Sequence, residues 1–365
     1  MRIRCVARTS VLFTLFGLTS ILSPGCSTDP PTTPKPVHYN VYATVNNWWG
    51  GDTSCMLRVY DADSLTLIDS LALPNTAVWG EASPDGRFLY LSMWQYPLTG
   101  PMYLLKLDLA TGDTAWIHPG VGTTDRSKFS LLDSGRLIVY GSEVIDAADG
   151  TTIRTLDDTV FDQWGLQNGP PGGTEVAAIA NDTLIIATDI RTGVRRGGFV
   201  ARLGPDLPPI GVNYARLHPD GDRVVCMARP WLVIGELSTG RQLMVMRLST
   251  WNVDIAINDD GSLAAVVDAA NSQFEYGWPA VYVLDLVNNQ LLATFDSNNQ
   301  LRYWPGQVRF LPGDRRIVIA PGNEFTPIGW LQTFDLRSLS SEYVIDPPFY
   351  EPMMGALAVG PRLEE

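Results

Sequence analysis

A β-rich run closed by an acidic residue recurs seven times between residues 57 and 335, and no other feature of the sequence narrows the possible folds as much. The copies are Leu57–Asp61, Leu104–Asp108, Glu143–Asp146, Ile185–Asp189, Leu232–Glu236, Val281–Asp285 and Leu331–Asp335. Their acidic ends lie 47, 38, 43, 47, 49 and 50 residues apart. That spacing matches a unit of four short strands. Between the copies sits a second unit, strand, Gly turn, strand. It is clearest at Ala82–Leu91 (Ser-Pro-Asp-Gly-Arg), Leu217–Val225 (His-Pro-Asp-Gly-Asp) and Ile257–Ala264 (Asn-Asp-Asp-Gly-Ser), and weaker at Ser134-Gly135, Gly172-Gly173 and Gly313-Asp314. Asp-Gly between alternating apolar residues is a strong hairpin signal. The expected fold is all-β, a seven-bladed β-propeller of four-stranded antiparallel blades over residues 39–362.

With the strands of each blade labelled A to D outward from the channel, the first copy lacks strand A. Val41–Asn46, Met56–Asp61 and Leu65–Leu73 supply B, C and D. The chain returns at its far end through Pro347 and Pro348 to Met354–Gly360, a short apolar run read as the missing strand. Its pairing with blade 1 closes the ring and removes an open edge.

The first 25 residues differ from the rest. Arg2, Arg4 and Arg8 precede an apolar run from Val11 to Leu22, long enough for a signal-peptide core and too short to span a bilayer. The segment ends in Leu22-Ser23-Pro24-Gly25-Cys26, which resembles a bacterial lipobox with Leu one place further from Cys than in the family pattern. The resemblance implies lipidation of Cys26, sorting to the outer membrane with Ser27 next in line, and a lipid anchor. An ordinary secretory signal would leave the protein secreted or periplasmic. Residues 26–38 are rich in Pro and Thr and read as an extended tether. The whole chain carries a formal charge of −13, which argues against nucleic acid as a partner.

The repeats resemble the YVTN-type and quinoprotein-like β-propellers of bacteria, in which Ser-Pro-Asp-Gly-Arg is followed by a strand and an Asp-X-X-X-Gly turn. Asp108/Gly112, Asp146/Gly150 and Asp189/Gly193 carry that turn, and Glu236/Gly240 is a conservative version. Asp108, Gly112 and Trp116 also stand, in one blade of seven, at the spacing of the tryptophan-docking repeat of quinone-cofactor dehydrogenases; the plainer reading is a Trp packed between blades. The resemblance speaks for fold; the fold hosts many chemistries.

In such a ring the A–B and C–D turns share one face, and the B–C loops and D–A crossings share the other. Long B–C loops occur in blades 6, 7, 1 and 2, which are consecutive, and carry Trp48, Trp49, Trp94, Tyr96, Phe274, Tyr276, Trp278, Phe325 and Trp330. Trp79, Trp164, Trp251 and Trp304 stand near the entries of strands A. Two readings remain open. The aromatics can form a wall that stacks on a ligand, or they can wedge between blades. The candidate ligand-binding set is Trp48, Trp49, Trp79, Trp94, Tyr96, Tyr276, Trp278, Trp304 and Trp330.

No nucleophile elbow or phosphate-cradling Gly loop is present. His38, His118 and His218 are scattered, and no zinc spacing is formed. Neither a cofactor nor a metal is expected, and Cys55 and Cys226 fall in blades too far apart to pair. Glu81 and Asp254 lie on inner strands, where an acidic lining would suit a cation. The sequence thus points to a monomeric, non-catalytic, envelope-anchored propeller that binds a small molecule, glycan or protein through its aromatic loop face. The alternative is an enzyme of lactonase or quinoprotein dehydrogenase type, working at the channel mouth.

Overall fold

The computed structural model describes residues 37–46, 55–94, 102–120, 128–156, 173–180, 183–204, 207–228, 230–248, 252–268, 279–296, 301, 305–313, 315–321, 331–345 and 354–363. They form 27 strands in seven antiparallel sheets. Blade 1 joins β1 (Tyr39–Asn46), β2 (Cys55–Asp61) and β3 (Leu67–Leu73) to β27 (Met354–Pro361). Blade 2 is β4 (Thr76–Ala82), β5 (Phe88–Trp94), β6 (Met102–Asp108) and β7 (Thr114–Pro119). Blade 3 is β8 (Phe129–Leu132), β9 (Leu137–Tyr140), β10 (Glu143–Asp146) and β11 (Thr152–Thr155). Blade 4 shows, among the described residues, the three strands β12 (Glu175–Ala180), β13 (Leu184–Asp189) and β14 (Arg195–Val200). Blade 5 is β15 (Tyr214–Leu217), β16 (Arg223–Ala228), β17 (Trp231–Glu236) and β18 (Gln242–Arg247). Blade 6 is β19 (Asn252–Ile257), β20 (Leu263–Asp268), β21 (Ala280–Asp285) and β22 (Gln290–Asp296). Blade 7 is β23 (Pro305–Phe310), β24 (Arg316–Pro321), β25 (Leu331–Asp335) and β26 (Ser340–Ile345).

The expected closure is present. β27 lies at the inner edge of blade 1 and pairs with β1 from Tyr39↔Pro361 to Val45↔Met354. The two chain ends are further joined by the Arg362 amide donating to the His38 carbonyl at 2.7 Å.

Blade stacking explains the strand composition. Strands B and C have both faces covered by neighbouring blades and so read as continuous apolar runs, such as the buried Leu89–Met93. Strands D lie at the rim, and β11 is exposed along its length. The apolar side chains collect in seven clusters, one per blade interface. Cys226 lies in the cluster between blades 4 and 5 and Cys55 in that between blades 1 and 2. Burial raises both thiol pKa values, Cys55 to about 12.

The repeated turns are built by their acidic residues. Asp108 Oδ1 accepts the Ala110 amide at 3.0 Å while its carbonyl accepts the Gly112 amide at 2.8 Å. Gly112, Gly150 and Gly193 take φ of 75°, 76° and 75° there, and in blades 6 and 7 Asn289 and Leu339 take the same place at φ 54°. On the A–B side the turn glycines also interlock neighbours. A Cβ on Gly261 would come within 2.3 Å of His218 Nε2 of the preceding blade, and one on Gly86 within 2.2 Å of the Pro361 carbonyl oxygen.

Candidate functional site: the axial cluster

Each strand A pairs on one side only, so its other edge presents backbone N–H and C=O groups toward the axis. Ser83, His218, Asn258 and Leu311 each open an A–B turn by donating an amide to the carbonyl five residues on. Leu132 is equivalent, since the Gly135 amide donates to it as the Gly86 amide does to Ser83. Residues two and four places before these lie on one face of strand A. The row four places before holds Trp79, Lys128, Tyr214, Asp254 and Gln307. The row two places before holds Glu81, Ser130, Arg216, Ala256 and Arg309.

Several of these side chains satisfy the open edge of the next blade. Glu81 accepts the Leu131 amide at 3.0 Å, and Arg216 Nη1 donates to the Ile255 carbonyl at 2.6 Å. Gln307 accepts the Leu357 amide at 3.1 Å and donates to the Gly355 and Val78 carbonyls. Asp254, with no exposed surface, accepts from the Val308 amide (3.1 Å), its neighbour's Ile255 amide (3.0 Å), the Tyr214 hydroxyl (2.9 Å) and Arg309 Nη1 (2.7 Å).

Other contacts join blades that are not neighbours. The Arg309 guanidinium of blade 7 lies 4.4 Å over the Trp79 ring of blade 2. Lys128 Nζ of blade 3 lies 4.8 Å over Trp79 and 4.1 Å over Tyr214 of blade 5. The Arg309–Trp79 and Lys128–Tyr214 contacts each reach past an intervening blade, and Lys128–Trp79 links them, so these groups form one constellation. Such cation–aromatic contacts contribute about 0.5–2 kcal/mol each, more when desolvated.

The charges do not balance. Three cations, Lys128, Arg216 and Arg309, face two carboxylates, Glu81 and Asp254. Burial brings the Lys128 amine down to about 8, with Asp254 opposing the shift and the Arg309 and Arg216 charges adding to it. Burial likewise raises the Glu81 carboxyl, while the Leu131 amide and the two arginines pull it back. Tyr214 is held well above its usual range by burial beside Asp254. The expected acidic lining is therefore present but answered. Both carboxylates already accept N–H groups, and both lie among cations. Among the described residues no group of three or more His, Cys, Asp or Glu side chains gathers as a metal site.

Of the aromatic residues singled out in the sequence, Trp79 is 1 % exposed and packs with Tyr90, Phe129 and Tyr140 between blades 2 and 3, beneath the two cations. Trp94 is half-buried at the end of β5. Trp48, Trp49, Tyr96, Tyr276, Trp278, Trp304 and Trp330 lie outside the described residues, as do Trp164, Trp251, Phe274, Phe325 and Cys26. The sequence reading missed Lys128, Tyr214, Arg216, Gln307 and Arg309. Their shared signal is position, two or four residues before an A–B turn.

Trp116 packs between blades 2 and 3, which is the plainer of the two readings of its spacing. Its ring meets Gly150 of blade 3, where a Cβ would come within 2.8 Å, and its Nε1 donates to the Ala147 carbonyl at 3.3 Å. Lys106 donates to that carbonyl too, at 2.7 Å, and lies 3.9 Å over Phe88. Phe88, Lys106 and Ala147 line a groove of about 1030 Å³ between blades 2 and 3 on the turn face, together with Arg136, Arg154 and Arg191. His118 is 7 % exposed and held between Glu143 (2.7 Å) and the Gly150 carbonyl (2.9 Å), a structural position.

No protein-family model matches the chain, and no curated protein matches it. Among solved structures the chain is similar to Kuenenia stuttgartiensis hydrazine synthase, with 14 % identity and a TM-score of 0.54, over 72 % of this chain and 77 % of that one. In all, 1413 solved chains match, so the likeness specifies the propeller and not an activity.

Proposed function

We propose that this protein is a non-catalytic binding propeller, exported and anchored at the envelope through Cys26, that holds its ligand on the ring axis below the aromatic loops. One observation supports the axial position above others. Side chains from blades 2, 3, 5, 6 and 7 converge there with their orientations fixed by hydrogen bonds and ring contacts, and preorganised polar groups of this kind are how binding sites gain specificity. The loops of blades 6, 7, 1 and 2 are proposed as the wall around the entrance, and their aromatics as its stacking surfaces for a small molecule, glycan or protein segment.

The test is a binding screen followed by two sets of single substitutions, at the axis (Lys128→Gln, Arg216→Gln) and in the loops (Trp49→Ala, Trp278→Ala). Loss of binding from both sets supports the reading. Binding that survives both overturns it.

A second reading, catalysis at the channel mouth, has one feature in its favour. Lys128 and Glu81 line one channel with their pKa values displaced in opposite directions from ordinary lysine and carboxylate values, as occurs where groups exchange protons with a substrate. Recovery of a captured ligand chemically unchanged after prolonged incubation argues against it.

A further inference from the structure

We propose that the axial cluster is an anion site, built to take a small carboxylate or similar oxyanion between Lys128, Arg216 and Arg309. The inference rests on the reading of the axis as the ligand site and adds the class of ligand.

Donor and acceptor bookkeeping carries it. Asp254 accepts from Tyr214, Ile255, Val308 and Arg309, and Glu81 accepts from Leu131, so the acids of the lining are engaged as acceptors. Arg309 uses Nη1 on Asp254 and on the Val308 carbonyl, while its Nη2 is buried with no hydrogen-bond partner among the described residues. A buried guanidinium N–H without an acceptor is costly, and the group that removes the cost is an oxygen acceptor, best of all a charged one.

Charge points the same way. Among the described residues the lining carries one more positive than negative group, and the three cations repel one another in a space lined by Trp79 and Tyr214 rather than by bulk water. A monoanion cancels the excess. A cation would add to it, and a neutral ligand would leave the repulsion in place. The chain as a whole is acidic, at −13, so this inward-facing excess of positive charge stands against the general trend of the molecule.

The groups facing Lys128 are Asp254, Arg309, Arg216, Tyr214 and Trp79, with Glu81 in the neighbouring row. Lys128 loses its charge near pH 8. Anion affinity should therefore fall as pH rises through about 8.

The experiment titrates the full chain with benzoate, acetate and inorganic sulfate, and with benzamide as the neutral counterpart of benzoate, by calorimetry and by tryptophan fluorescence. One anion per molecule is expected, with benzamide at least about tenfold weaker than benzoate. Lys128→Gln and Arg216→Gln should each weaken the anion about tenfold or more, and these variants leave the Asp254 hydrogen bonds intact. Near-ultraviolet circular dichroism checks that they fold. Equal binding of benzamide and benzoate overturns the anion assignment while leaving an axial ligand site in place. Anion binding that ignores Lys128→Gln and Arg216→Gln but is lost with Arg136→Gln and Arg154→Gln moves the site to the groove and overturns the proposal. If neither anions nor benzamide perturb the tryptophans or release heat, the axial reading falls as well.

Discussion

Arg309 donates a 2.7 Å hydrogen bond to the buried Asp254 of the preceding blade. The same guanidinium lies over Trp79, so one side chain ties blades 6, 7 and 2 together at the axis. Asp254→Ala would strand the Arg309 charge, the Tyr214 hydroxyl and two backbone amides away from water. Breaking a buried pair in this way costs about 3–5 kcal/mol. Urea denaturation should show a loss in that range. A loss under about 1 kcal/mol would mean that water already serves those donors.

Ring closure can be tested by truncation. Without residues 350–365 blade 1 loses β27, its inner strand, and exposes the edge of β1 from Tyr39 to Val45. The shortened chain should unfold or self-associate. A monomer by light scattering with an unchanged melting temperature would contradict the role given to β27.

Gly261 offers a sharper probe of blade-to-blade contact. Its φ of 75° costs a non-Gly residue about 1–2 kcal/mol, and the added methyl meets His218 as well. Gly261→Ala should therefore destabilise by more than the backbone term alone. In a His218→Ala background the same change should cost less, since the clash is gone, although the 2.7 Å contact of His218 Nε2 with the Gly261 carbonyl is lost in that background. A double-mutant cycle with no coupling would place the strain elsewhere.

Lys128 makes stability depend on pH in a defined direction. The folded protein releases this proton at about 8, whereas an unfolded lysine keeps it until about 10.4. Between those values the unfolded chain binds more protons, so the Lys128 contribution makes stability rise with pH. Raised tyrosine pKa values, including those of Tyr214 and Tyr90, oppose this trend from about pH 10 upward. The diagnostic quantity is the difference between wild type and Lys128→Met, measured from pH 7.5 to 9.5. A flat difference would refute the assignment.

The anchor and the loop wall make separate predictions. Cys26→Ser should turn a detergent-extracted, acylated protein into a soluble one. Trp48, Trp49, Trp94, Trp278 and Trp330 should be reached by acrylamide in the free protein and protected by ligand, and each change to Ala should cost at most about 1 kcal/mol of folding stability. Trp79→Ala, by contrast, should cost about 3–5 kcal/mol. Loop tryptophans as shielded and as costly as Trp79 would make the wall part of the core.

The blades were legible because their cause is local. Asp108 and Gly112 make their turn with atoms four residues apart, and the same chemistry recurs around the ring. The axial cluster was not legible for the opposite reason. Lys128 and Tyr214, or Arg309 and Trp79, meet only because the ring closes; their position before an A–B turn places each on an inner strand, but nothing near either residue in sequence names its partner. Glu81 and Asp254 stood out as acids on apolar strands. Their basic partners did not, because an arginine in an amphipathic strand ordinarily reads as a solvated side chain. The aromatic loops were conspicuous in sequence, and most of their residues lie outside those described.

The pairing of Tyr39 with Pro361 has a bearing on how the molecule presents itself. The end of β27 and the start of β1 meet where strand A turns into strand B, so the chain enters and leaves the disc on the turn face, beside Gly86. Both ends of the propeller therefore open on the turn face, opposite the B–C loops.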